Sequence, residues 1–167
     1  NIAIGDAAAS QAASSTTNNI FIGRSAGGQW SEGTLNTILG YQAGFYAGGD
    51  RNVMIGQGSG RGSSANKKVV DRSVFLGYNS GYYEQNSDRL YIENSTAGST
   101  TALVYGEFDN DLLRVNGTLN VNNAYSFPTA DGTANYVMTT DGSGAVSWTD
   151  PNTLVSDGDW TINGNDQ

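Results

Sequence analysis

The chain has 167 residues with 23 glycines, no cysteine and no histidine, and its 8 basic and 16 acidic side chains leave a formal charge of −8. That excludes disulfides, thiol and imidazole chemistry and most zinc sites. Basic residues scattered singly, apart from Lys67-Lys68, do not make a face that tracks nucleic-acid phosphates. No apolar run approaches the about 20 residues that cross a bilayer, so neither membrane insertion, nucleic acid nor a cofactor is expected.

From the first residue a phrase recurs: asparagine, three mostly apolar residues, glycine, two variable positions and two small residues. It reads Asn1-Ile2-Ala3-Ile4-Gly5 with Ala8-Ala9, Asn19-Ile20-Phe21-Ile22-Gly23 with Ala26-Gly27, and Asn36-Thr37-Ile38-Leu39-Gly40 with Ala43-Gly44. Asn52-Val53-Met54-Ile55-Gly56 and Ser73-Val74-Phe75-Leu76-Gly77 follow, and Arg89-Leu90-Tyr91-Ile92 is a decayed copy with Glu93 in place of glycine. The glycines are 18, 17, 16 and 21 residues apart, which suits one turn of a solenoid and is too short for a helical repeat pair. Stacked β-structure is predicted, with each glycine turning the chain out of its strand.

Side chains alternate along a strand, so the first and third residues of each triplet share one face and the middle residue takes the other. Both faces are apolar, whereas a narrow roll buries only one. A second layer is therefore predicted, supplied by identical chains around an axis, and a stable monomer would mean that the middle position is covered within one chain. The recurring Asn1, Asn19, Asn36 and Asn52 either stack as a side-chain ladder or simply open each strand after a turn. The small pairs are expected to let adjacent backbones approach closely.

Farther on, Leu112 to Val121 alternates like a strand interrupted by Asn116-Gly117, and Tyr136 to Thr140 turns through Asp141-Gly142-Ser143-Gly144 into Ala145 to Trp148 as a hairpin. The expected organisation is a β-roll of about five to six rungs over residues 1–93, a transition and β-stalk over 94–123, a hairpin module over 124–150 and a polar tail over 151–167. Trp160-Thr161-Ile162 is the tail's apolar cluster. The chain reads as a segment of a longer protein.

Aromatic residues follow the repeat glycines. Tyr41 and Tyr78 occupy equivalent positions and are expected to stack on neighbouring rungs, while Trp30, Tyr46, Tyr82 and Tyr83 are the candidate ligand-binding residues, since loop rings stack on sugars or anchor interfaces. Asp109-Asn110-Asp111 and Asp157-Gly158-Asp159 lack the ligand spacing of a calcium loop and read as solvated turns, with no metal site. Glu84 with Asp88, or Glu107 with Asp109, could be proposed as glycosidase pairs, but such acidic pairs arise freely in turns. No enzyme is expected.

The Asn-apolar-apolar-apolar-Gly phrase with its small pair resembles the stacked head repeats of trimeric autotransporter adhesins. That resemblance implies left-handed β-rolls packed as a homotrimer, although rungs of 16 to 21 residues are longer and less even. Leu90 to Asn94, Leu112 to Val121, Tyr125 to Gly132, Thr139 to Gly144 and Asp159 to Asn165 are similar to tail-fibre or surface-fibre proteins of Bacteroidetes and their phages. Such proteins often end in a self-cleaving chaperone-of-endosialidase domain, to which no residue here corresponds. The resemblances imply an extracellular fibre, on a cell surface, virion or injection apparatus, that attaches to a cell-surface glycan or receptor. A glycan depolymerase on a β-helical fibre and a ligand-free filament are the alternatives.

Overall fold

The computed structural model describes residues 1–65, 67 and 69–154. Trp160 to Ile162 and Asp157 to Asp159 lie outside the described residues. The chain forms two compact units, Asn1–Asn116 and Gly117–Gln167, with no α-helix among the described residues.

Every copy of the phrase is a short strand: β1 (Ile2–Ile4), β2 (Ile20–Ile22), β3 (Thr37–Leu39), β4 (Val53–Ile55), β5 (Val74–Leu76) and β6 (Arg89–Ile92). Each pairs in parallel with the next, with the triplets aligned residue for residue. A parallel order identical to the sequence order requires the chain to return once per strand, which is a β-solenoid. The turns after the glycines form a second ladder, with the Gly27 N–H donating to the Ala43 carbonyl at 2.9 Å and the Gly44 N–H to the Ser59 carbonyl at 2.8 Å.

The middle residue of each triplet points into the roll. Phe21, Ile38, Met54 and Phe75 are fully buried, with Ala26, Ala43, Trp30 and Val70 around them. This corrects one step of the two-face argument: the middle position is covered within a single chain, and the first and third are the ones without cover.

A repeat glycine such as Gly23 has φ +125°, and a Cβ there would lie 2.7 Å from the Gly40 carbonyl oxygen on the next rung. The small pair allows the close backbone approach seen in that second ladder, and its second member also makes room for the core. A Cβ on Gly27 would sit 2.3 Å from the Phe21 ring, and those on Gly60 and Gly81 would strike Met54 and Phe75 of their own rungs. The first rung supplies the converse, since its middle residue is only Ala3 and its equivalent position carries Ala9 at φ 51°. Gly27→Ala is therefore expected to cost about 3 kcal/mol, from overpacking plus a left-handed backbone, while Ala9→Gly stays within about 1 kcal/mol in urea melts. Equal effects would contradict this packing rule.

The asparagines form a ladder through side chain and backbone together. The Oδ1 atoms of Asn1, Asn19, Asn36 and Asn52 accept from the backbone N–H of Asn19, Asn36, Asn52 and Ser73, at 2.8 to 3.0 Å. Their Nδ2 atoms donate to loop carbonyls: Thr16, Gly33, Gly49 and Val70. One direct amide-to-amide bond joins Asn36 Nδ2 to Asn19 Oδ1 at 2.9 Å. Asn19, Asn36 and Asn52 are buried, so satisfying both ends of each amide offsets their desolvation.

The stretch expected as a stalk divides between the units. Up to Asn116 it closes the roll: β7 (Val104–Glu107) pairs antiparallel with β6, and β8 (Leu112–Val115) antiparallel with β7. The column of core rings runs on through Phe75, Tyr91 and Tyr105, with centroids 5.7 and 5.1 Å apart, and the Arg114 guanidinium lies 5.4 Å above Tyr105. In the second unit β9 (Asn120–Val121) pairs antiparallel with β10 (Tyr125–Ser126), and the predicted hairpin is β11 (Val137–Thr140) with β12 (Val146–Thr149). Trp148 packs against Gly132, where a Cβ would fall 2.5 Å from its ring, and its Nε1 donates to the Ala130 carbonyl.

Candidate functional site

Strand register sets the outward residues in two ranks. One runs Ile2, Ile20, Thr37, Val53, Val74 and Leu90, and the other Ile4, Ile22, Leu39, Ile55, Leu76 and Ile92. The closing strands extend them, the first to Leu113 across Gly106, which is buried and brings no side chain, and the second through Val104 to Val115. No charged residue interrupts either rank. Ile2 is 53% exposed, Ile4 57% and Leu113 67%, and Ile20, Leu39, Ile55 and Ile92 are exposed too. Eight strands about 4.8 Å apart make this face about 34 Å long.

On the roll's flank, the residues five places after successive repeat glycines, Phe45, Arg61 and Tyr82, line up. The Arg61 guanidinium lies 5.8, 5.5 and 5.6 Å from the ring centroids of Phe45, Tyr46 and Tyr82, and its Nη1 hydrogen-bonds the Tyr82 hydroxyl. Tyr46 and Tyr82 are half-buried in this stack. Trp30 requires a correction, because it is wholly buried, edge-on to Phe21 at 5.6 Å, and its ring offers no surface to a ligand. Tyr41 and Tyr78 are exposed, Tyr41 beneath the Arg24 guanidinium at 5.6 Å.

Tyr83 differs from the other three candidates. It is 66% exposed and stands at a cleft of about 470 Å³ that also takes in Glu84, Gln85, Asn86, Thr96 and Ser99. Glu84 has both oxygens engaged: Oε1 accepts from the backbone N–H groups of Gln85 and Asn86 and from Asn86 Nδ2, and Oε2 from the Tyr91 hydroxyl at 2.7 Å. The carboxylates considered as glycosidase pairs are likewise engaged. Asp88 takes a bidentate contact from Arg72 at 2.6 and 2.7 Å, Glu107 accepts from Tyr105 and Asn110, and Asp109 accepts from Arg89. Among the described residues no group of three or more acidic side chains is placed to hold a metal ion.

Burial, reinforced by Glu107, pushes the Tyr105 phenol up to about 12, and burial with Glu84 raises Tyr91 as well. Backbone N–H groups, that of Leu103 foremost, hold Glu93 below the ordinary carboxylate range, and the Asn110 amide followed by Tyr105 does the same for Glu107. Raised phenols stabilise the fold fully below their unfolded value of 10.0 and lose that contribution as pH climbs through the folded values. Depressed carboxylates contribute above 4.5 and lose it as pH falls. The closing strands should therefore be most stable between pH 4.5 and 10.0, with a phenolate absorbance change accompanying alkaline melting. A melting temperature unchanged well above pH 10.0 would contradict these couplings.

The chain matches no protein-family model, no curated protein and no solved structure.

The sequence pointed to Tyr83 but not to its cleft, whose far wall, Thr96 to Ser99, comes from the loop between β6 and β7. It also passed over Arg61, although the shared offset of Phe45, Arg61 and Tyr82 from Gly40, Gly56 and Gly77 was a usable signal.

Proposed function

We propose that this chain is a segment of a homotrimeric extracellular fibre, on a cell surface, a virion or an injection apparatus, that serves in attachment and is not an enzyme. The observation that carries this reading is the uncharged double rank of outward residues along all eight strands. At about 34 Å by 12 Å it presents on the order of 400 Å² of apolar surface, within the about 300–600 Å² of a typical monomer's largest patch, a size that often marks an interaction site. Three-residue strands make the face narrow. Three such faces can meet around one axis, six ranks enclosing a core, and the turns and loops then point outward. Loops repeated in three copies would turn weak contacts into avidity.

Attachment is tested by incubating the fluorescently labelled chain with intact cells of several bacterial and animal types. Saturable retention on at least one, reduced when the assembly is dissociated into single chains, is the expected result. Absence of saturable retention on every cell type would overturn the attachment reading.

A further inference from the structure

We infer that the Tyr83 cleft binds an uncharged pyranose glycan. The inference rests on the attachment reading and names the ligand class and the place. The cleft, about 470 Å³, falls within the range of about 300–1,000 Å³ usual for small-ligand sites. Two aromatics line it, the buried Tyr91 and the exposed Tyr83, and Tyr83 is edge-on to Tyr82 at 4.6 Å, a ring in turn packed against Arg61. The exposed Tyr83 is thus braced from behind and offers a flat apolar surface for the C–H face of a sugar.

The polar groups around it suit hydroxyls. Gln85 and Asn86 carry amides that donate and accept, and Thr96 and Ser99 add hydroxyl groups from the opposite loop. Glu84 builds the turn, since its oxygens accept four hydrogen bonds that tie the 84–86 turn to Tyr91. That tie holds the turn backbone and the Asn86 amide in place before a ligand arrives, which lowers the ordering cost of binding. Charge sets the class. No lysine or arginine lines the cleft, and a chain of formal charge −8 repels sialylated, sulfated or uronic glycans.

The test is an array of oligosaccharides carrying neutral hexoses and N-acetylhexosamines beside sialylated and sulfated ones, followed by calorimetric titration of the full chain with the best neutral binder. Tyr83→Ala should weaken that binding about tenfold, the loss of one stacked ring, while Tyr83→Trp keeps it. Because Tyr83 is mostly exposed, both variants should melt with the wild type. No neutral glycan bound, acidic glycans preferred, or undiminished binding by a folded Tyr83→Ala would each overturn the inference. Cell retention separates the two readings. Retention unchanged by Tyr83→Ala removes the cleft as the contact and leaves attachment standing, whereas sugar binding without retention on any cell keeps the cleft and removes attachment.

Discussion

Asn36→Asp should unfold the roll near neutral pH and allow it to re-form in acid. Asn36 is buried, with Nδ2 donating to Asn19 Oδ1, to the Thr34 carbonyl and to the Gly49 carbonyl, and Oδ1 accepting from the Asn52 N–H. A carboxylate would face three acceptors with no donor to give them, away from water. Its pKa in the folded state must then rise above the unfolded value of about 3.9. A raised folded value means that the roll keeps its stability below that pH and loses it as pH rises. Asn36→Ala, which has no charge, should cost about 3 kcal/mol at all pH values, because it leaves the Asn52 N–H and the Gly49 carbonyl without partners. Urea melts of both variants from acid to neutral pH make the comparison. An Asn36→Asp chain as stable at pH 7 as Asn36→Ala would show that the ladder is not what holds the rungs in register.

Ile55→Asp is expected to do the opposite, leaving the roll intact and separating the chains. Ile55 lies in the middle of the second outward rank and is exposed in the single chain, so the substitution removes no core contact. In an assembly closed around these ranks, each copy would bring a carboxylate to the axis beside the others. Burying an unpaired charge costs several kcal/mol. Closing on the order of 400 Å² of apolar surface per chain contributes only about 10 kcal/mol, set against an association cost of about 4–15 kcal/mol. A margin that narrow does not survive such a penalty. Light scattering should give one chain's mass for Ile55→Asp, with a circular dichroism spectrum like that of the wild type. Phe75→Ala serves as the contrast, because it hollows the core by about 3–5 kcal/mol and should unfold the roll along with the assembly.

The repeat phrase made the stacked strands legible, because an apolar triplet followed by glycine at solenoid spacing has few other uses. Which side of the strand faces inward was not legible from the triplets, since Ile20, Phe21 and Ile22 are all apolar. The deciding signal lay four places beyond the glycine. Large middle residues, Phe21, Met54 and Phe75, go with Gly27, Gly60 and Gly81, and the small Ala3 goes with Ala9, a covariation that marks the middle residue as the one filling the roll. Trp30 read as a loop aromatic because the segment after Gly28 has no strand pattern, yet it returns to cover Phe21. The antiparallel closing strands were hidden for a related reason. The decay of the phrase at Glu93 announced an end to the parallel stack, but nothing local in Val104 to Glu107 states the direction in which a strand will pair.

Light scattering of the unaltered chain at neutral pH bears most directly on the role given to the apolar face. About three times the 17.5 kDa chain mass is the expected result. A monodisperse, folded species at 17.5 kDa over the micromolar range would contradict it, since the two ranks of isoleucine, leucine and valine would then stand in water without a partner.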